Sequence, residues 1–262
     1  MAPASARIAH GVPALLFAVS AAVTIAWCGP MAMGGMPMPG GWTMSMAWMR
    51  MPGQTWFSAA VAFLGMWSVM MMAMMLPVLT PMLWRYRRAA GPMAGPRAKM
   101  RLGRLTTLVA LAYFSVWTLL GLAAFPLGVA LATLEMHLPV LARAVPAASG
   151  VMVLIAGASQ FTPWKARRLA CCRETAGCER APNQATALRH GLRLGLHCVA
   201  CCAPLTAILC AIGVMDLWAM AAVTMAITAE RLAPRGRSVA RITGAVAMGA
   251  GAVLILRAVG LG

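Results

Sequence analysis

Acidic residues are few in this sequence: five Asp and Glu stand against 22 Lys and Arg in 262 residues, a formal net charge of +17. Charge of either sign is scarce too, at 10% of residues against roughly 25% in an ordinary soluble domain. Hydrophobic residues reach 61% and the mean hydropathy is +0.79. So few polar side chains cannot cover the apolar mass of a soluble globule, and the same excess excludes a disordered chain. There is no phosphate-cradling Gly loop, no HExxH and no nucleophile–base arrangement. With so few carboxylates, carboxylate-driven hydrolysis is excluded as well. The eight Cys are too sparse for a disulfide-dense secreted scaffold. What remains is an all-α, polytopic transmembrane helix bundle.

Seven apolar runs are long enough to cross a ~30 Å hydrocarbon core: 12–28, 56–79, 105–131, 144–161, 195–214, 215–230 and 242–262. The fifth and sixth are divided only by a turn marked by Gly213 and Asp216, and Asp216 can cap the sixth helix. The first run lacks a small-x-small exit, so it reads as a retained helix rather than a cleaved signal peptide. Pro77, Pro126 and Pro204 predict kinks or helix ends. In the last run, Ala245 with Gly249 and Ala247 with Gly251 form small-xxx-small pairs suited to close helix packing. Gly and Pro concentrate in 29–55 and 91–96, which predicts irregular backbone in both.

The basic residues fall in blocks between these runs. Alternate sides collect 19 and 3 of them, which puts the N-terminus inside and the C-terminus outside. The net charge is thus a topology signal, and no nucleic-acid partner is expected. The chain reads as a single integral membrane domain of a bacterial inner (plasma) membrane. Its outer loop is 29–55 and its cytoplasmic loop 162–194.

Three groups of residues carry candidate chemistry, all built on sulfur. The outer loop holds Met31, Met33, Met36, Met38, Met44 and Met46, with Trp42 and Trp48 interleaved and Met49 and Met51 following. Thioether sulfur is a soft, neutral ligand that suits Cu(I), and it can neither need deprotonation nor form a disulfide. Packing filler is the alternative. The second run carries Met66, Met70 and Met74 on one helical stripe and Met71 and Met75 on another. A series of weak soft ligands could convey an ion, whereas one tight site would hold it. The third group is Cys171, Cys172, Cys178, His197, Cys198, Cys201 and Cys202, all on the predicted cytoplasmic side. That compartment disfavours structural disulfides and favours metal or redox work. Two or three thiolates suit Cu(I); four thiolates, or three with an imidazole, suit zinc. Glu135, His137 and Glu230 sit at the ends of apolar runs, where solvent reaches them, and are read as flanking groups.

Three stretches resemble the uncharacterised bacterial family described as predicted metal-binding integral membrane proteins. They are Trp67 through Pro81, WSVMMMAMMLPVLTP; Ala156 through Arg173, AGASQFTPWKARRLACCR; and Gly191 through Glu230, with Gly191, Gly195, Cys198 and the final Glu230 in the family's order. The chain departs from that pattern at Ala203-Pro204, where the family often has Trp, and at Arg231, where it often has Lys. The resemblance implies a membrane metal-binding protein; copper rests on the Met and Cys residues themselves.

The resulting expectation is a soft-metal, copper-binding membrane protein for uptake, transfer or homeostasis, with Cu(I) as the leading ion and Zn as the alternative. A membrane thiol–disulfide oxidoreductase and a metal-free scaffold or assembly factor are the competing classes; no enzyme chemistry is expected outside the first of these. Candidate partners are the lipid bilayer, the metal ion, a metallochaperone or maturation partner and a second copy of the chain. Reporter fusions test the topology. Fusions at Gly40 and Gly262 should report outside, and those at Gly95 and Ala185 inside. An outside report from Ala185 would move the thiols to the oxidising face.

Overall fold

The computed structural model describes residues 4–32, 35–39, 41–50, 53–89, 95–174 and 183–260. Eight helices account for most of them: α1 Ala4–Ala32, α2 Trp56–Ala89, α3 Pro96–His137, α4 Pro139–Ser159, α5 Pro163–Glu174, α6 Gln184–Ile212, α7 Leu217–Leu232 and α8 Gly236–Ala258. The all-α bundle is as expected, and each of the seven apolar runs falls in its own helix. Six helices are long and apolar enough to cross a membrane, while α7, at 16 residues, is shorter. Large apolar side chains point outward around the bundle, among them Leu15, Phe57, Val140 and Trp218.

Several boundaries differ from the sequence expectation. The region 162–194 is not simply a loop. It contains α5 and the first turns of α6, which starts at a capping box in which Asn183 accepts from the Thr186 amide at 2.9 Å. The prolines end no helix: Pro77, Pro126 and Pro204 all lie inside continuous helices. Neighbouring helices can satisfy the backbone groups that a proline frees within an apolar bundle. The division between α6 and α7 is as read. Gly213 adopts φ +141°, and the Asp216 carboxylate accepts from the Ala219 amide at 2.8 Å.

The segment 29–55 is also more regular than its Gly and Pro content suggests. Strands β1 (Met36–Met38) and β2 (Trp42–Met44) form an antiparallel hairpin, and a 3-10 turn follows at Met46–Trp48. Tryptophan anchors it. The Trp42 indole N–H donates to the Ala142 carbonyl at 2.9 Å, at the start of α4. Trp48 lies 5.1 Å from Phe63 of α2 and packs over Gly128 of α3, where a Cβ would clash with its ring. The hairpin therefore covers the end of the bundle where α4 begins, and α5 lies at the end where α4 stops. A 21-residue helix is about 30 Å long, so the two features are separated by about the thickness of a hydrocarbon core.

Close helix contacts are made by glycine. Gly150 and Gly157 of α4 meet Gly251 and Gly244 of α8 backbone to backbone. The small-residue interface of α8 is thus Gly244, Ala247 and Gly251; Ala245 and Gly249 face away from it, with nothing near Gly249. On the other side, Gly191 and Gly195 of α6 lie against α3. A Cβ at Gly191 would fall 2.5 Å from the Val109 carbonyl oxygen, and one at Gly195 would fall 2.8 Å from Val116. Gly191→Ala should therefore destabilise the detergent-solubilised protein by about 1–3 kcal/mol through overpacking. Gly249→Ala, in open space, should stay within about 0.5 kcal/mol of the parent. Thermal unfolding of the two variants side by side checks the pair.

Candidate metal centre

Most methionines of α2 face the protein interior, and Met72 is half-buried. Met66, Met70, Met71, Met74, Met75 and Met82 are all buried and share one core cluster with Cys198 and Cys202 of α6. Above them an aromatic stack closes the hairpin end: Phe63 stands 5.1 Å from Trp48, 5.8 Å from Trp67 and 5.1 Å from Phe125. Trp67 fits because Gly121 has no side chain, and its indole N–H donates to the Trp117 carbonyl at 2.9 Å.

Cys198 is the hub. Positions 198 and 202 are one helical turn apart on the same face of α6, and their sulfurs lie 3.8 Å apart. The Cys198 Sγ is 4.0 Å from the Met75 Sδ. Because Gly191 and Gly195 let α6 lie against α3, the Tyr113 hydroxyl reaches the same sulfur and donates to it at 2.9 Å. Arg231, at the end of α7, donates from Nη1 to Cys198 Sγ and from Nη2 to Met82 Sδ, both at 3.5 Å. Every one of these side chains is buried.

From Cys202 the sulfurs continue toward α5. Cys201, next to Cys202 on α6, packs against Cys172 of α5. The Cys172 thiol also donates to the His197 carbonyl at 3.2 Å. Its contact with Cys201, followed by burial, pushes this thiol well above its ordinary range. Cys171, half-buried, has its sulfur 3.8 Å from His197 Nδ1. Lys165 of α5 ties the helices together: its ammonium donates to the Cys201 carbonyl and pairs with Glu230, both at 2.8 Å, with both side chains buried. Glu230 is therefore an interior ion-pair partner rather than a solvated flank.

The residues singled out in the sequence are thus partly brought together. Cys198, Cys202, Cys201 and Cys172 form a file of neighbouring thiols, with Cys171 and His197 at its α5 end. Among the described residues, no three His, Cys, Asp or Glu side chains converge as a metal-holding group. A third ligand at Cys198 would therefore be thioether, and the geometry offers two thiols and Met75. Cys178 and Met33 lie outside the described residues, and for Met31 and Met46 the backbone alone is described. On the hairpin, the pairs Met36–Met44 and Met38–Trp42 put three thioethers and an indole on one face. Met44 is buried at 2% exposure, while Met36 is exposed at 39%.

Sequence reasoning singled out the Met66–Met70–Met74 stripe, but the thioether beside the thiols belongs to Met75, on the second stripe. Met82 lies seven residues further on, two turns along the same face. That spacing was legible. Tyr113 and Arg231 carried no local signal, because both reach Cys198 from other helices.

Fold and interior together define a bundle of apolar helices with a sulfur-lined core. The family profile PpoB2, copper chaperone, matches residues 64–254, and the chain belongs to that family. No curated protein and no solved structure matches it. Membership gives the chain a copper-related function, and the metal-related part of the expected resemblance holds.

Proposed function

We propose that the chain is an integral membrane carrier of Cu(I), acting in copper uptake, transfer or homeostasis at a bacterial plasma membrane. The observation that carries this reading is the buried file of sulfurs from Met75 through Cys198, Cys202 and Cys201 to Cys172. Cu(I) accepts two or three soft ligands, whereas a closed zinc site wants four. Two thiols and one thioether suit the first ion and fall short of the second. Met75 and Cys198 lie 4.0 Å apart and Cys198 and Cys202 3.8 Å apart, so a soft ion can exchange one ligand at a time there, with Cys201 and Cys172 packed together beyond. The thiols lose their protons as the metal binds, so uptake at this site releases protons.

The two ends of the bundle take different parts. The hairpin face of Met36, Met38 and Met44 receives copper in an oxidising compartment, where thioether survives. The buried methionines of α2 lead inward. Cys171 and His197, beside α5 at the opposite end, offer the ion to a metallochaperone or maturation partner. Copper is the cargo throughout.

Cu(I) affinity of the detergent-purified full chain, measured by chelator competition, tests the reading. Even the outer hydrogen-bond partners of metal ligands are worth roughly 10- to 100-fold in affinity, so Cys198→Ser or Cys202→Ser should each cost at least roughly 100-fold. Cys28→Ser and Cys210→Ser should bind as the parent does. Parental affinity in a Cys198/Cys201/Cys202 triple Ser variant would refute the site.

A further inference from the structure

Arg231 is an unusual neighbour for a cation site. Its side chain is buried at 6% exposure, and both hydrogen bonds of its guanidinium go to sulfur, Cys198 and Met82. Buried charges normally find opposite charge or a metal. The nearby Lys165 and Glu230 already neutralise each other at 2.8 Å. Among the described residues Arg231 has no ion pair within 4.0 Å, and the Glu230 carboxylate interacts with its charge only from farther off. Arginine does not lose its proton in proteins. One fixed positive charge therefore stands 3.5 Å from the sulfur at the centre of the thiol file.

Charge arithmetic then selects the ion. Two thiolates bring two negative charges, and Arg231 brings one positive. A monovalent cation closes the site at zero net charge. A divalent cation leaves one uncompensated positive charge in an apolar interior, which is strongly disfavoured. We propose that Arg231 is the specificity-determining residue of this centre, and that it makes the buried Cys198–Cys202–Met75 site selective for monovalent soft cations, Cu(I) and Ag(I), over divalent ones. This rests on the copper reading above and deepens it: ligand softness selects thiophilic metals, and Arg231 selects their valence.

The same arithmetic predicts what removing the charge does. With a neutral side chain at 231, two thiolates are balanced by a divalent ion, whereas a monovalent ion leaves one negative charge uncompensated. The preference should invert in direction. Cd(II) is the informative probe, because it is as thiophilic as the site demands but divalent. Zn(II) would confuse charge with coordination number.

The experiment measures Ag(I) and Cd(II) affinities of the detergent-purified full chain by competition, for the parent, Arg231→Gln, Arg231→Met and Arg231→Lys. Two neutral variants are used so that either one, if folded by circular dichroism, suffices. In the neutral variants the Ag(I)-to-Cd(II) affinity ratio should fall by at least about tenfold through weaker Ag(I) and stronger Cd(II) binding. Arg231→Lys keeps the charge and should keep the parental ratio, whereas a purely packing role would lower both affinities together in all three variants. An unchanged ratio in a folded neutral variant overturns valence selection and leaves the copper reading standing. A parent that binds neither Ag(I) nor Cu(I) overturns the copper reading, and valence selection with it.

Discussion

Helix α6 can carry thiols into the middle of an apolar bundle because two glycines let it lie on α3. Gly191 and Gly195 bring the α6 backbone so near Val109, Ala112 and Val116 that no larger residue fits without displacement. That approach sets the positions of everything around Cys198. It fixes the distance from which Tyr113 donates, and it turns Cys198 and Cys202 toward the methionines of α2. It also leaves Cys201, on the adjoining face, to meet Cys172 of α5. Separate α3 from α6 by one methyl group and the hydrogen bond to Cys198 is the first contact to open.

The interior is apolar, and the polar side chains around the thiols each meet a local partner. Lys165 meets Glu230 and a carbonyl. Tyr113 meets a thiol, and the guanidinium of Arg231 meets a thiol and a thioether. The Lys165–Glu230 pair joins α5, α6 and α7, while Tyr113 reaches the thiols from α3 and Arg231 also touches Met82 of α2. Burying an ion pair gives little net stability by itself. Its placement here is better understood as fixing α5 and the end of α7 against the Cys201 carbonyl, which holds the file of sulfurs in register. The aromatic stack of Trp48, Phe63 and Trp67 does the corresponding work at the other end, where it joins the hairpin to the core.

Much of this was legible from residue order. Composition alone gave the all-α bundle, and the apolar runs located seven of its helices. Gly213 with Asp216 correctly divided α6 from α7. Helix α5 was hidden because its sequence is polar and only 12 residues long, with no apolar periodicity to reveal it. The hairpin was hidden because Pro and Gly suggest irregular backbone, while the Trp42 and Trp48 contacts that order it come from α3 and α4, far away in sequence. The cysteines were legible as a group, since i and i+4 positions share a face. Their alignment with Met75 was not, because it depends on how α2 and α6 are rotated against each other. Arg231 reads in the sequence as one basic residue of a cytoplasmic flank, and only the close return of α7 turns it inward.

Whether copper bound by this protein is held by sulfurs inside the bundle can be read spectroscopically. Copper K-edge absorption of the Cu(I)-loaded full chain tests it most directly, since the edge reports oxidation state and the fine structure reports ligand type. The account predicts Cu(I) with a sulfur-only ligand set of two or three atoms, reduced in number when Cys198 is replaced by Ser. A spectrum dominated by nitrogen or oxygen ligands, or one indifferent to Cys198, would contradict it.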